Sequence, residues 1–173
     1  MLVAITGTPG TGKSSVCREL VRRGFTVVDA ARLAFEKGFA ARPKRTGAPA
    51  IVDIQRLRRV PLPKGDLVFI SSHFSHLLKS DIAIVLRCSP SILKARLESR
   101  KWRKEKVTEN VEAEAIDLIT VEAIQRCKKV FEVNTTSIDA KEAARQILEI
   151  VKGSVKGHEP GRIDWSEEIL SWY

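Results

Sequence analysis

The residues best equipped for chemistry lie near the start of the chain. Gly7-Thr8-Pro9-Gly10-Thr11-Gly12-Lys13-Ser14-Ser15 follows the apolar run Leu2 to Ile5 and precedes a segment patterned as a helix. Gly7, Gly12, Lys13 and Ser14 fit the spacing G-x-x-x-x-G-K-[ST], which suits phosphate. Glycines let the backbone curl until successive N–H groups point at one anion, and a helix starting just beyond adds the positive end of its dipole. Gly10, Thr11 and Gly12 complete the curl. Lys13 supplies a point charge to the β- and γ-phosphates, the Ser14 hydroxyl a ligand for Mg²⁺, and Ser15 a donor for the α-phosphate. The expected ligand is a nucleoside triphosphate, ATP with Mg²⁺.

Such a loop serves kinases, GTPases, motors and assembly ATPases alike. No N-K-x-D run is present to read guanine, which argues against a GTPase of that kind. A second constellation points toward a kinase. Arg96 and Arg100 are four apart, the spacing of one helix face, and five of the seven residues from Arg100 to Lys106 are basic. A planar, permanently charged guanidinium can follow phosphoryl oxygens as charge develops during transfer, and a short charged segment can close over the phosphates to exclude water. The competing reading is an exposed basic turn paired with Glu98 and Glu105. His73 follows the apolar run Leu67 to Ile70, where a strand end would meet a nucleotide crevice. There it either orients a water for ATP hydrolysis or serves as a hydrogen-bonded structural residue; His76 and His158 read as structural or exposed.

These residues need a scaffold that brings strand ends together. The runs Leu2 to Ile5, Phe25 to Val28, Leu67 to Ile70, Ile82 to Leu86 and Val130 to Val133 are short and lack alternation, as strands covered on both faces do. Helical patterns separate them, which predicts a five-stranded parallel α/β sheet with right-handed crossovers. Ser89 before Pro90, Thr108 before the acidic turn Glu109 to Glu112, and Asp139 with Glu142 read as helix starts. Two stretches break the rhythm: a basic excursion from Lys37 to Asp53, and the charged connection from Ser99 to Thr108. After a Gly-rich linker, residues 162–173 read as a terminal helix. Asp164 and Glu167 would cap it, and Ile169, Leu170 and Trp172 would dock it onto the domain; a free tail is the alternative.

A chain of 173 residues with 43% apolar and 29% charged residues fits one globular domain. No apolar run approaches a membrane span and no signal-peptide pattern opens the chain, so no membrane partner and a cytoplasmic location are expected. Cys17, Cys88 and Cys127 stand far apart with no metal-ligand spacing and read as reduced thiols. The net charge of +9 is unevenly spread. Residues 1–65 hold 13 Lys/Arg against 4 Asp/Glu, whereas residues 66–173 hold 17 of each. The excess brackets the phosphate loop, consistent with an anionic substrate or nucleic acid as well as with a solvated face.

Together, Gly7 to Ser15, the Arg-Leu-Glu-Ser-Arg stretch ending at Arg100, and Val107 to Ile116 resemble the adenylate kinase isoenzyme six family, archaeal and nuclear members of the nucleoside monophosphate kinases. The resemblance runs over nearly the whole chain, including Leu33 to Gly38 and Ser72 to Leu78. It implies the P-loop nucleoside monophosphate kinase fold, with an acceptor-nucleotide module at about residues 30–53 and a lid at about 99–109. Gly10, Gly12, Lys13, Ser14 and Ser15 would hold the ATP phosphates, and Arg100 would contact ATP. The implied activity is transfer of the ATP γ-phosphoryl group to AMP or another nucleoside monophosphate, with ATPase activity beside it. The resemblance also implies a role in maturation of the small ribosomal subunit, with a platform ribosomal protein of the S-eleven family as partner. Residues 32–64 hold nine Lys/Arg against two Asp/Glu, more charge than one phosphate requires; that excess suits pre-rRNA as a further partner.

The chain departs from its relatives at one point. Standard adenylate kinases carry Asp-Gly-Phe-Pro-Arg after strand three, and the isoenzyme six family commonly carries Asp-x-His; here Ser71-Ser72-His73 stands instead. Two serines support Mg²⁺ less firmly than a carboxylate, and either Asp29 or Asp53 is placed to compensate. Two other readings stand beside the kinase: a ribosome-assembly ATPase with little transfer activity, and a kinase for a small metabolite such as shikimate.

Overall fold

The computed structural model describes residues 1–41 and 50–172. Five parallel strands form the central sheet: β1 (Leu2–Thr6), β2 (Thr26–Asp29), β5 (Val68–Ser71), β6 (Ile82–Arg87) and β7 (Val130–Asn134). Their spatial order is β2-β5-β1-β6-β7, the expected five-stranded sheet. The chain steps outward from β1 to β2, then returns to place β5 on one side of β1 and β6 on the other. The strand order therefore reverses at β1, the place where open α/β sheets bind ligands.

Each strand lies within one residue of its predicted run because burial on both faces demands continuous apolar sequence. On one face Val3 and Ile5 of β1 pack with Phe69, Ile84 and Leu86 beneath helices α1 (Lys13–Arg22) and α7 (Ala140–Val151). On the other, Ala4, Ile70, Ala83 and Val85 pack with residues of helices α2 (Ala30–Glu36), α3 (Ile54–Leu57) and α6 (Leu118–Arg126). Ile5, Leu20 and Ile147 are each 0% exposed, and burying one such side chain contributes roughly 2 kcal/mol.

Within the basic excursion, β3 (Ala40–Ala41) and β4 (Ile51–Val52) form a short antiparallel pair. Arg42, Lys44 and Arg45 of the segment read as the acceptor module lie outside the described residues. Helix α4 (Pro90–Glu98) is capped by Ser89, whose Oγ accepts from the Ile92 amide, and α7 by Asp139, whose Oδ1 accepts from the Glu142 amide at 2.8 Å.

Two local expectations fail. Thr108 does not start a helix: α5 (Lys104–Ala115) begins four residues earlier. Its burial of Val107 and Val111 against Leu93 and Leu97 of α4 outweighs the cap preference of Thr108. The charged connection is thus only residues 99–103, turned by Lys101 in the left-handed region at φ 57°. At the other end of the chain, α8 (Ser166–Leu170) is shorter than the predicted terminal helix, and Leu170 and Trp172 are 74% and 43% exposed. The segment is held instead by polar contacts: the Ser91 amide donates to Glu168, and the Trp165 ring lies 5.9 Å from the Arg87 guanidinium. Ahead of α8, the His158 carbonyl accepts from the Glu132 amide at 2.8 Å, covering the open edge of β7. No helix among the described residues is long and apolar enough to cross a membrane.

Candidate active site

At the carboxyl end of β1 the loop Gly7–Gly12 curls around its own carbonyls. Thr8 O accepts from the Thr11 amide and Oγ1 and, at 3.0 Å, from Lys13 Nζ, which also donates to Gly7 O at 2.6 Å. Two glycines are required by space as well as by φ. A Cβ on Gly7 (φ 133°) would lie 2.4 Å from Leu86 O, and one on Gly10 (φ 99°) 2.6 Å from Leu93 Cδ1. Gly12 ends the loop in the left-handed region and no side chain caps α1. The positive end of that helix therefore faces the site uncapped.

The loop forms the floor of a cavity of about 880 Å³ lined also by Ser14, Ser15, Asp29, Ser71, Ser72, His73, Arg100, Trp102, Arg103, Lys106 and Glu109. Five cationic side chains, Lys13, Arg100, Lys101, Arg103 and Lys106, meet only two carboxylates, Asp29 and Glu109, in its wall. Such a cavity attracts polyanions. A second cavity, of about 310 Å³, opens on the other side of Gly10, Gly12, Ser15 and Arg100. Its wall is mixed: Val16, Ile138, Ala140 and Ala143 offer an apolar surface on which a flat base can lie, and Arg96, Thr135 and Asp139 line it beside them. The two cavities share the loop and Arg100.

The structure thus brings together Gly10, Gly12, Lys13, Ser14, Ser15, His73 and Arg100, and ranks the two candidate carboxylates. Asp29 lines the large cavity, in register with Ser71, while capping α2 through the Arg32 amide. Asp53 caps α3 through the Arg56 amide and is not part of the cavity wall. Thr11 is buried beneath the loop, where its Oγ1 braces Thr8 O. Arg96 and Arg100 do not share a role. Arg96 is tied down, its guanidinium donating to the Thr135 and Thr136 carbonyls and to Cys88 Sγ, whereas Arg100 lies past the end of α4 and faces both cavities. His76 is fully buried between Thr6 Oγ1 (2.8 Å) and Glu122 (3.0 Å), a structural residue.

Burial and nearby charges set the protonation of the reacting groups. Burial lowers the Lys13 ammonium to about 8, with Glu114 working in the opposite direction. Burial, then the charges of Lys13 and His76, hold His73 below its ordinary 6.5, so its imidazole is neutral at pH 7 and able to accept a proton.

One set of functional neighbours escaped sequence reasoning. Glu114 of α5 accepts from Thr8 Oγ1 of the loop at 2.6 Å, from Arg87 Nε at 2.7 Å and from the Cys88 amide at 3.1 Å. Arg87, 1% exposed, also donates to Glu132 at 2.5 Å and pairs with Asp117. Glu132 in turn accepts from Thr120 Oγ1 and the Gly161 amide. The partners of the Glu114 side chain lie 26 to 106 residues away and leave no local pattern; the only cue is charged residues in otherwise apolar strands at 87 and 132.

A parallel sheet that reverses at a phosphate loop, with a cationic cavity above it, is the architecture of the P-loop kinase fold. The solved structures similar to it agree at the level of fold. A shikimate kinase from Acinetobacter baumannii in complex with shikimate matches with a TM-score of 0.59 at 15% identity, over 88% of this chain and 93% of that one. A deoxyadenosine kinase from M. mycoides matches with a TM-score of 0.53 at 13% identity, over 88% and 99%. In sequence, a family model described as an AAA domain matches residues 3–117. A protein of Archaeoglobus fulgidus named "Putative adenylate kinase" is 40% identical over 98% of this chain and 94% of its own length. One of the same name from Thermococcus onnurineus is 36% identical over 97% and 93%. The chain belongs to this family of archaeal adenylate kinase-like proteins.

Proposed function

We propose that the protein is a nucleoside monophosphate kinase that transfers the γ-phosphoryl group of MgATP to AMP or another nucleoside monophosphate. The observation that carries this reading is the pair of cavities meeting at Arg100 and the glycine loop. A triphosphate laid along the loop has its base end in the smaller cavity, against Val16, Ile138 and Ala143, and its γ-phosphate in the larger, cationic one, which has room for an acceptor.

Catalysis follows from placement and charge, with no covalent intermediate. Backbone N–H groups of the loop and the start of α1 hold the β-phosphate; Lys13 exchanges its two carbonyl contacts for phosphate oxygens; Arg100 follows the moving group. Mg²⁺ fits the donors present, which are all hard oxygens: the Ser14 hydroxyl in the cavity wall would ligate it and Asp29 would hold it through water. When bound, the ion supplies charge neutralisation between the β- and γ-phosphates. His73, neutral and facing the same cavity, orients a water when no acceptor is present, which gives an ATPase activity beside the transfer.

The test is a coupled assay of ATP turnover with and without AMP. Formation of two diphosphates on adding AMP supports the kinase. Turnover indifferent to every monophosphate, with no diphosphate pair, refutes it; a screen that includes small metabolite alcohols then separates a metabolite kinase from a pure ATPase.

A second reading is favoured by one feature of the site: Ser71 and Ser72 stand at the end of β5, where the resemblance to the isoenzyme six family leads one to expect a carboxylate. A weaker metal grip and the basic residues 32–64 suit an isoenzyme six-type assembly ATPase of the small ribosomal subunit, acting on a platform protein of the S-eleven family or on pre-rRNA. Absence of any salt-dependent association with either partner refutes it.

A further inference from the structure

We propose that Glu114 is a positioning residue of the phosphate site: one carboxylate oxygen clamps Thr8 of the phosphate loop and the other holds the Arg87–Cys88 end of β6. This inference rests on the ATP-binding reading of the loop.

Glu114 is 2% exposed, and both of its carboxylate oxygens accept hydrogen bonds. Oε2 takes the Thr8 hydroxyl at 2.6 Å; Oε1 takes Arg87 Nε at 2.7 Å and the Cys88 amide at 3.1 Å. Thr8 is the residue whose carbonyl receives Thr11 and Lys13. One carboxylate on α5 therefore orients the peptide that gathers the loop and its lysine. The same helix carries Lys106 and Glu109 in the cavity wall.

The test is steady-state kinetics for MgATP in the full-length protein, comparing wild type, Glu114→Gln and Thr8→Val. Loosening the clamp should raise KM for ATP about threefold to tenfold in either variant, with kcat changed much less. A merely structural role would lower the active fraction, and hence kcat, at an unchanged KM. An unchanged KM in Thr8→Val or in a folded Glu114→Gln overturns the clamp. If Glu114→Gln does not fold, Thr8→Val decides. Wild-type protein that neither binds nor turns over ATP refutes the kinase reading itself, a result visible before any variant is compared.

Discussion

Replacing Arg87 with methionine is the most informative single perturbation of the scaffold. Arg87, Glu114 and Glu132 are 1%, 2% and 2% exposed, and the guanidinium is the cation between the two carboxylates. Methionine fills similar volume, so little cavity is created. The cost lies in stranding two buried carboxylates, and removing one partner of a buried pair destabilises by about 3–5 kcal/mol. For a chain of this length that corresponds to a fall in Tm of about 6–20 °C. The stranded carboxyls then have folded-state pKa values raised above their unfolded ones. The penalty is therefore greatest at neutral pH and shrinks as pH falls and they take up protons. Thermal unfolding followed by circular dichroism at pH 7 and pH 5 measures both effects. A Tm within about 3 °C of wild type at pH 7, or a gap that widens at pH 5, would refute the account of this cluster.

Three further outcomes bear on the site. Gly10→Ala must either push a Cβ into Leu93 at 2.6 Å or reshape a turn at φ 99°, so ATP affinity measured by calorimetry should fall about tenfold or more while the fold persists. Hydrolysis of ATP without acceptor should decline as pH drops through a value below 6.5, because only neutral His73 accepts a proton. His73→Ala should slow that hydrolysis about 100-fold yet leave transfer to AMP largely intact; equal losses in both would remove His73 from the water-orienting role. Asp29→Asn should raise the Mg²⁺ concentration needed for half-maximal turnover several-fold, whereas Asp53→Asn should not, both asparagines remaining good helix caps. A matching shift in the two variants would show that Asp29 has no special relation to the ion.

The phosphate loop was legible in the sequence because its chemistry is local: the glycines, Lys13 and Ser14 act through the backbone of one strand–loop–helix unit. The five strands were legible for a similar reason, since burial on both faces leaves continuous apolar runs. Thr108 shows where local signals lose. Its side chain favours a helix start, but packing of Val107 and Val111 against α4 extends the helix past it, and propensities of under about 1 kcal/mol yield to such burial. Arg96 and Arg100 looked equivalent at a four-residue spacing, yet the helix ends between them and Thr135 and Thr136 capture only the first.

By itself the sequence determined the sheet, the nucleotide loop and the basic segment above it, since each is written in residues a few positions apart. Only the tertiary structure decided which carboxylate lines the large cavity, which of the two arginines reaches both cavities, and that Thr8 is held by a glutamate 106 residues away. Those decisions belong to the crossing of β1, β6 and α5. Electrostatic partners in a low-dielectric interior are chosen by distance in space, and distance along the chain carries no record of it.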